Sequence, residues 1–542
     1  MARLAQRAWV LLVVTLADGS APAQPPARGY VDPGPILQAA AQAIGADKLK
    51  CITFSGTGYA GQVGQNVTPD TDWPRGETLT NYTRTINYEA GSSVEQFVRK
   101  PGMNPRSWKY GAGWLGGTPL QQNERQTFVV HGRHAWHMDG EGAAPLPAPA
   151  RAEIWQLDVW LNPPGFLKAA RTPGANPKAV WRWELVESGR DGATTGKIEK
   201  VHVVSITVLG KYRVNATINS RNLIQRIETK VPDPVLGDMN YEHEYSEWQD
   251  AGGVKFPAGW HHHQGYDDER YKPTISGGHN AFGGAFPNIR PNVCAAPLPV
   301  PDSVRQATVA PARVEAQKLA EGVWLLGGSS HNSVAVEFRD FVAVVEAPLD
   351  EDRSLAVIEE TVRLVPGKPI RYVVNTHAHY DHLGGLRTYL HIGATIITHQ
   401  RNRVFYEEEL LSYAPRTLQP DLVTLYQPTE IREGYTMEAV AENYVLSDGA
   451  RSMHISYVQP LAHVDGMLMA YLPKEKIVME ADLYDPPAPG APPPAANAAN
   501  RSFYDHVQRL GLQVSTIAPL HGRAVPWTDL LRVVGKAPFS PP

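Results

Sequence analysis

Cysteine is nearly absent from this chain, since Cys51 and Cys294 are the only two among its 542 residues. Neither stands in a CxxC pair or beside histidines at the spacing of a zinc finger, which argues against a cysteine-based zinc or redox site. Two cysteines so far apart in sequence leave two alternatives open, a disulfide in an oxidising compartment or two buried thiols.

Long apolar runs and a strong charge excess are also missing. No run reaches the roughly 20 residues that a membrane-spanning helix needs, so we expect no stable membrane insertion. A formal net charge of -4 gives no general attraction to nucleic acid or anionic lipid. We therefore expect a globular protein whose partner is a small-molecule substrate, with an oligomeric state that the sequence leaves open.

The first 23 residues have the composition of an export signal. Arg3 and Arg7 precede an apolar run from Ala8 to Ala17, and the small-residue triplet Ala21-Pro22-Ala23 follows. This order is typical of a secretory signal peptide that is cleaved after the triplet. We predict that residues 1–23 are removed and that the mature protein is periplasmic or secreted.

The length of the chain predicts two domains, because single hydrophobic cores stop growing at roughly 250 to 300 residues. Residues 291–313 are rich in proline and alanine and predict a linker. After one helix at 35–44, residues 30–290 alternate apolar and polar side chains in short segments, which is typical of antiparallel strands. Residues 314–542 interleave strand-like and helix-like segments, so the expected fold class is α+β, with α/β layering in this C-terminal domain.

The densest cluster of metal-ligand side chains is THAHYDHLGG at 376–385. Four ligand-type residues directly follow the apolar segment IRYVVN: His377, His379, Asp381 and His382. Imidazole and carboxylate suit zinc or iron, and α/β sheets place their sites at the carboxyl ends of strands. Four such residues within six positions predict a metal site.

This HxHxDH spacing resembles the metallo-β-lactamase superfamily of hydrolases, and the resemblance extends over roughly residues 314–527. It implies a four-layer αββα sandwich for the C-terminal domain. It also implies three further ligands on later loops that are associated with strands: His463, Asp482 and His521. The family pattern gives one metal to His377, His379 and His463 and a second to Asp381, His382 and His521, with Asp482 bridging both.

The resemblance also implies a reaction. Two close divalent ions, zinc or alternatively iron, would hold a bridging hydroxide as nucleophile, because coordination lowers the pKa of water from about 15.7 to about 7. Asp381 is the catalytic candidate, since its family counterpart orients this water while binding metal. We expect hydrolysis of an ester, lactone, thioester or amide. Asp482 disfavours penicillins as substrates, because the familiar zinc β-lactamases carry a different residue at that position.

Two departures from the family pattern bear on the site. Ala462 and Val464 flank His463, where the family often has glycine and threonine, so that loop is expected to have a different shape. Glu346 in VVEAP replaces the common aspartate of an early strand-end turn. We expect the glutamate to change a hydrogen bond behind a metal ligand.

Other polar residues near these motifs have simpler structural interpretations. Ser329 to Asn332 lie on a turn that could line the pocket, although turn chemistry alone favours such residues. Tyr380 and Tyr484 could donate to an oxyanion, or they could simply pack. We do not expect His399 to bind metal. The histidines of the run 260–263 alternate faces on a strand and cannot all reach one ion, which leaves open only a weak adventitious site.

The N-terminal domain has a less specific pattern. The segment YEHEYSEWQDAGGVKFPAGW at 241–260 resembles strands of periplasmic lipoprotein-carrier folds, which are half-open barrels that bind acyl chains. That resemblance implies an apolar ligand. A structural lid or a dimerisation element is the alternative.

Three functions besides the hydrolase above remain open. One is a β-lactamase, and another is a persulfide dioxygenase of the same superfamily with one iron on His377, His463 and Asp482. The third is a binding protein with a structural metal site. Nuclease branches share HxHxDH, but the export signal, the acidic balance and the lack of basic clusters argue against them.

Overall fold

The computed structural model describes residues 29–69, 71–103, 120–187, 194–265, 279–411, 416–426 and 437–536. The predicted signal peptide therefore lies outside the described residues. Three β-sheets of 13, 7 and 6 strands dominate these ranges. Within them, no helix has both the length and the apolar character needed to cross a membrane.

The N-terminal half is built on one antiparallel sheet. Its strands are β1 (Cys51–Ala60), β2 (Arg75–Asn87), β3 (Ser92–Met103), β4 (Glu124–His131), β5 (His134–Asp139), β6 (Leu146–Pro147), β7 (Lys178–Glu187), β8 (Thr194–Val208), β9 (Tyr212–Ile218), β10 (Ile224–Asp233), β11 (Gly237–Asp250), β12 (Lys255–Gly265) and β13 (His279–Pro291). Their order across the sheet is β6-β5-β4-β3-β2-β1-β13-β12-β11-β10-β9-β8-β7. The alternating residues of the sequence thus form a single broad sheet.

One face of this sheet is covered by three helices: α1 (Pro33–Ile44), α2 (Ala152–Asp158) and α3 (Pro163–Ala169). The helix α1 begins where Asp32 accepts a hydrogen bond from the Gly34 N–H at 2.9 Å, with Pro33 at the first helical position. The core beneath the helices is aromatic, and Phe54 of β1 contacts Phe286 of the adjacent β13 and Phe256 of β12, one strand further along. Burial of this apolar face is the main force that holds the sheet to its helices.

The C-terminal half contains the other two sheets. The first has β14 (Glu315–Ala320), β15 (Val323–Gly327), β16 (Ser333–Glu337), β17 (Val342–Val345), β18 (Ile370–Val374), β19 (Thr395–His399) and β20 (Met437–Val440), in that order. The second has β21 (Asn443–Ser447), β22 (Ser452–Tyr457), β23 (Leu468–Leu472), β24 (Ile477–Glu480), β25 (Thr516–Pro519) and β26 (Val525–Pro526). Strands β17 to β20 run parallel, as do β24 and β25.

Two sheets sandwiched between helices form four layers here. The sheets share a buried core to which Val345 and Met479 contribute from opposite sides. The helices are α4 (Asp302–Gln306), α5 (Glu351–Leu364), α6 (Tyr380–Leu383), α7 (Leu386–His391), α8 (Arg403–Phe405), α9 (Leu422–Leu425), α10 (Ala498–Arg509) and α11 (Trp527–Val533). Val357 of α5 packs on the outside of the first sheet and Phe503 of α10 on the outside of the second. The predicted αββα sandwich is confirmed.

The two halves of the chain pack against each other. A single buried apolar cluster includes Phe54 of the N-terminal sheet and Leu383 beside the HxHxDH motif. Across the same boundary, the Arg416 guanidinium donates to the carbonyl oxygen of Val235 at 2.7 Å. Cys51 and Cys294 form a disulfide with their Cα atoms 6.3 Å apart, which resolves the alternative between bonded and free thiols. The disulfide ties the proline-rich segment after β13 to the start of β1.

Candidate metal centre

The ligand candidates from the sequence all lie on loops or short turns next to strands of the two C-terminal sheets, with His463 in the loop between β22 and β23. His377 and His379 follow β18, and Asp381 lies in the first turn of α6. Asp482 and His521 follow the parallel neighbours β24 and β25. The Leu468 N–H donates to the Thr376 carbonyl at 2.7 Å and joins the two sheets at this edge. Residues that are up to 144 positions apart (377 to 521) therefore meet at one place.

The carboxylate of Asp482 is the point on which the histidines converge. Its Oδ2 lies 3.2 Å from His377 Nε2, 3.2 Å from His382 Nε2 and 3.0 Å from His463 Nε2. Its Oδ1 lies 2.9 Å from His521 Nε2. The two oxygens of one carboxylate thus face imidazoles from both predicted metal sites, as a bridging ligand would.

The spacing of the ring nitrogens fits metal binding. His463 Nε2 lies 3.2 Å from His379 Nδ1, and His521 Nε2 lies 3.2 Å from His382 Nε2. Four ligands at zinc–nitrogen distances of about 2.0–2.1 Å around a tetrahedral ion lie roughly 3.3 Å from one another. Side-chain atoms within 4.8 Å of one another form two such groups: His377, His379, His463 and Asp482, and His331, Asp381, His382 and His521. The residues present therefore fit two divalent ions.

Hydrogen bonds behind the rings decide which nitrogen faces the centre. Thr376 Oγ1 lies 2.9 Å from His377 Nδ1, and the Asn66 carbonyl oxygen lies 2.9 Å from His379 Nε2. The Ser330 carbonyl oxygen lies 3.3 Å from His521 Nδ1. Partners of this kind orient metal-binding imidazoles and raise their basicity. Each of these rings is therefore held with its other nitrogen towards the common centre.

Asp482 reaches the centre because of a tight turn after β24. Its backbone has a φ of 56°, in the left-handed region that few non-glycine residues adopt. The buried Glu480 carboxylate supports this turn by accepting hydrogen bonds from the Leu483 N–H at 3.0 Å and the Tyr484 N–H at 3.2 Å. The turn thus directs the Asp482 side chain into the cluster of histidines.

Three of the seven ligand candidates are already in the protonation state that a metal needs. Burial lowers the pKa of His379 to about 3, and burial together with the neighbouring His382 lowers the pKa of His377 well below its usual range. Burial alone would raise the pKa of Asp482, but the charges of His382 and His463 outweigh it and lower that pKa. Metals bind neutral imidazole and ionised carboxylate. These three residues are therefore already in the forms that an ion needs. For His382 and His521, burial alone would lower the pKa, but the Asp482 carboxylate raises it.

Glu346 is the buried hub behind the HxHxDH loop. Its carboxylate accepts hydrogen bonds from Asn375 Nδ2 at 2.7 Å and Thr376 Oγ1 at 2.6 Å. Its Oε2 also lies 3.2 Å from His382 Nδ1. The hydrogen bond that Glu346 is expected to change is therefore the one to Nδ1 of His382. The other ring nitrogen of His382 faces Asp482.

We expect Glu346→Gln to weaken metal binding, because an amide N–H would then face groups that themselves donate. Changes behind metal ligands cost about 10- to 100-fold in affinity or activity, and we expect a loss in that range. Chelator competition measures it, with the exposed Glu359→Gln of α5 as the matched control. Equal metal affinity in both variants would contradict the role of Glu346.

The sequence alone does not assign three residues of this centre to contacts with the ligand candidates. The sequence marks His331 only as part of a turn that could line the pocket, yet its Nε2 lies 3.1 Å from Asp381 Oδ2 and its ring centroid lies 4.1 Å from that of His521. Gln65 and Asn66 come from the N-terminal half and contact Asp381 and His379 directly. The only local clue to His331 was a histidine in a strand-end turn, and no local pattern marks the other two.

Comparison with known proteins gives the family of this part of the chain. Residues 326–464 match the family model for the metallo-β-lactamase superfamily. They form a metallo-β-lactamase superfamily domain. This is a hydrolase domain, and the match contains the HxHxDH motif and His463. Asp482 and His521 lie beyond the matched residues, and the structure brings them to the same centre.

Several solved structures to which part of this chain is similar are metallo-β-lactamases. One from Pontibacter korlensis has 14% identity and a TM-score of 0.31 over 42% of this chain and 100% of that chain. DIM-1 metallo-β-lactamase has 16% identity and a TM-score of 0.30 over 41% of this chain and 96% of that chain. One from Hirschia baltica has 17% identity and a TM-score of 0.29, over 41% and 97%. No curated protein matches this chain.

The other polar candidates of the metallo-β-lactamase domain pack against neighbouring side chains. The Tyr380 ring stacks on Phe405 with centroids 6.1 Å apart, and Tyr484 is buried in the core under α10. His399 lies against the Tyr457 ring at 4.2 Å, and its Nε2 lies 3.0 Å from the Ala441 carbonyl oxygen. Among the residues that the structure covers, His399 belongs to no group of metal-ligand side chains.

The histidine run on β12 alternates faces, as predicted for a strand. His261 and His263 share one face with Glu244, and the ligand atoms of these three lie within 4.8 Å of one another. His262 stacks on His243 on the opposite face, with ring centroids 4.0 Å apart. Beside them the outer face of the sheet has a cavity of about 820 Å³ whose wall includes charged and polar side chains: Arg75, Glu199, Arg226, Glu244 and His261.

Proposed function

We propose that this chain is an exported hydrolase that uses two divalent metal ions, zinc by preference, to cleave an ester, lactone, thioester or amide bond. One observation carries the proposal. The two oxygens of Asp482 lie 2.9 to 3.2 Å from ring nitrogens of both ligand groups. A carboxylate in that position can hold two ions close together.

Two bound ions would supply a nucleophilic water at neutral pH and polarise the bond that is cleaved. Asp381 is the residue of this chain that would orient the water and accept its proton. Its Oδ2 faces the centre and lies 3.8 Å from His382 Nε2. Its side chain is 35% exposed, so a water and a substrate can reach it. His331 Nε2 lies 3.1 Å from the same oxygen and can share the proton.

The second ligand group favours this hydrolase over the iron-dependent alternative. A persulfide dioxygenase would need only His377, His463 and Asp482. Here Asp381, His382 and His521 complete another set beside them. A single-ion enzyme would have no need for three further converging ligands, and that supports two ions.

Export is supported by the disulfide between Cys51 and Cys294. Disulfides persist in oxidising compartments such as the periplasm and are rare in the cytosol. The arginine-flanked apolar run at the N-terminus agrees with that location. The proposal therefore places the mature enzyme outside the cytoplasm.

The test is a metal count combined with a substrate screen on the full mature chain. Mass spectrometry of protein grown in zinc-supplemented medium should give about two metal equivalents. The screen covers ester, lactone, thioester, phosphodiester and β-lactam substrates, before and after chelation and after zinc is restored. His379→Ala should lose metal and activity, and His454→Ala, which changes an exposed histidine of β22, should keep both.

Each outcome separates the proposal from its alternatives. One equivalent of iron would point to the dioxygenase, and turnover restricted to β-lactams would point to a β-lactamase. Two metals with no hydrolysis of any substrate would leave the binding protein with a structural metal site. Fewer than one metal equivalent would refute the dinuclear hydrolase.

A further inference from the structure

A loop of the N-terminal sheet reaches into the metal centre. This loop joins β1 to β2, and we call its residues Gly64 to Val67 the inserted segment. Gln65 Nε2 donates to Asp381 Oδ1 at 2.7 Å. The Asn66 carbonyl oxygen lies 2.9 Å from His379 Nε2. Two neighbouring residues therefore contact one ligand from each of the two groups, across 313 and 316 positions of sequence.

Backbone hydrogen bonds fasten both ends of the inserted segment to the ligand loops. The Tyr380 N–H donates to the Gly64 carbonyl at 3.2 Å, and the Asp465 N–H donates to the Val67 carbonyl at 2.9 Å. Tyr380 adjoins His379 and Asp381, and Asp465 lies two residues after His463. The inserted segment is thus fixed at both ends against two of the loops that carry ligand candidates.

Gly64 shows how closely the two halves approach each other. Its φ is +71°, and a Cβ added to it would lie 2.2 Å from Cγ of Tyr380. A side chain at this position would push the segment away from the HxHxDH loop. Glycine is therefore required for Gln65 and Asn66 to reach their partners.

The inserted segment has its own internal support. The buried Asn66 side chain donates from Nδ2 to the Thr71 carbonyl at 2.6 Å. The Gln65 N–H donates to the Gln62 carbonyl at 3.1 Å. Because these bonds hold the loop in shape, the Asn66 carbonyl and the Gln65 amide are already directed at the ligands.

The Asp381 side chain is less enclosed by packing than those of the neighbouring ligand candidates. Its side chain is 35% exposed, while the side chains of His377 and His382 are fully buried. Rotation about the last carboxylate bond is soft, so an unrestrained Asp381 would present its oxygens in many orientations. The Gln65 amide occupies Oδ1 and leaves Oδ2 to face His331 and His382.

We propose that Gln65 is a positioning residue of the metal centre: it fixes Asp381 Oδ1 so that Oδ2 is directed towards His331 and His382, where the second ion would bind. The N-terminal sheet is thereby a working part of the hydrolase. The proposal rests on the proposed function in taking Asp381 as a metal ligand. It assigns to the N-terminal half a role in assembling the site, distinct from the carrier, lid or dimerisation roles that the sequence leaves open.

The test replaces Gln65 by methionine, which keeps the length of the side chain and removes its donor. We expect affinity for one of the two metal equivalents to fall by about 10- to 100-fold, the range for changes behind a ligand, with the other equivalent unchanged. We expect kcat to fall by a similar factor and KM to change less than twofold. Chelator competition and the visible spectrum of the cobalt-loaded full chain give the metal readouts.

Gln126→Met is the matched control. Gln126 belongs to the same sheet and donates to Asp139 Oδ1 at 3.4 Å at an exposed position, so this variant should keep both affinities. If Gln65→Met fails to fold, Gln65→Asn retains the amide but shortens the side chain by one methylene, and the same loss is expected from it. Unchanged metal affinity and an unchanged cobalt spectrum in a folded Gln65 variant would overturn the proposal.

If the proposed hydrolase function is wrong, the measurements give a different pattern from the one expected if only the role of Gln65 is wrong. If the wild-type chain binds two ions but hydrolyses nothing, the hydrolase is refuted, and the metal affinity of Gln65→Met still decides the positioning role. If the wild-type chain binds no ion, both proposals are wrong. The metal readouts need no knowledge of the substrate, which keeps the two conclusions apart.

Discussion

Asp482→Ala will remove metal binding and hydrolysis together. The Asp482 carboxylate lies within 3.2 Å of four imidazole nitrogens and faces both ligand groups. Without it, the buried rings of His377 and His382 would face each other with no negative charge between them. The effect should exceed the roughly 10- to 100-fold loss for changes behind a ligand, and we expect about 1000-fold or more in kcat/KM. The metal content should fall below one equivalent.

Two further variants sharpen this prediction. Asp482→Asn keeps the volume of the side chain but removes its charge, so it should bind metal more weakly than the wild type and better than Asp482→Ala. Asp340→Ala changes an exposed aspartate of the same domain and should match the wild type. Metal analysis, initial rates and circular dichroism are measured on all three. Two tightly bound metals in a folded Asp482→Ala protein would show that Asp482 does not bridge them.

The second large effect concerns stability. We expect the double variant Cys51→Ser/Cys294→Ser to lose about 3–5 kcal/mol of unfolding free energy, because the disulfide closes a loop across 243 residues and long loops restrict the unfolded chain most. The bond joins the first residue of β1 to the segment after β13, and β1 leads directly into the inserted segment. The loss should therefore appear in denaturation of the N-terminal sheet.

Urea denaturation followed by tryptophan fluorescence measures this effect. Adding a thiol reductant should lower the midpoint of the wild type to that of the double variant, and it should not change the variant. Thiol titration of the native wild type should detect no free cysteine. Two reactive thiols in the native protein would contradict the disulfide. So would a urea midpoint that does not change when the reductant is added.

Much of the candidate metal centre could be predicted from the sequence. His377, His379, Asp381 and His382 share one strand-end loop, and the resemblance of their spacing to the metallo-β-lactamase superfamily implied His463, Asp482 and His521 as further ligands on later strand-associated loops. Strand ends are where α/β sheets gather side chains, so position along the chain implied position in space. The structure brings all seven residues together.

The N-terminal half was less predictable. Alternating residues correctly indicated antiparallel strands, but strand count and order depend on pairings between distant segments, such as β1 with β13. The resemblance to lipoprotein carriers implied an apolar ligand, which stays a prediction. A cavity on this sheet has both charged side chains, such as Arg226 and Glu244, and an aromatic side chain, Trp260, in its wall. The alternation of apolar and polar residues shows which face of a strand is buried. It does not show which other strand pairs with that strand.

The sequence by itself determined the cluster of ligand-type residues and the antiparallel character of the first half, because local spacing and periodicity encode them. The four-layer sandwich followed from the resemblance of the HxHxDH motif to the metallo-β-lactamase superfamily. Only the tertiary structure decided that Cys51 bonds Cys294, that His331 meets Asp381, and that Gln65 reaches the metal centre. These contacts join segments that are 50 to 316 positions apart. Such contacts follow from how sheets and loops pack against one another, and no short stretch of sequence records that packing.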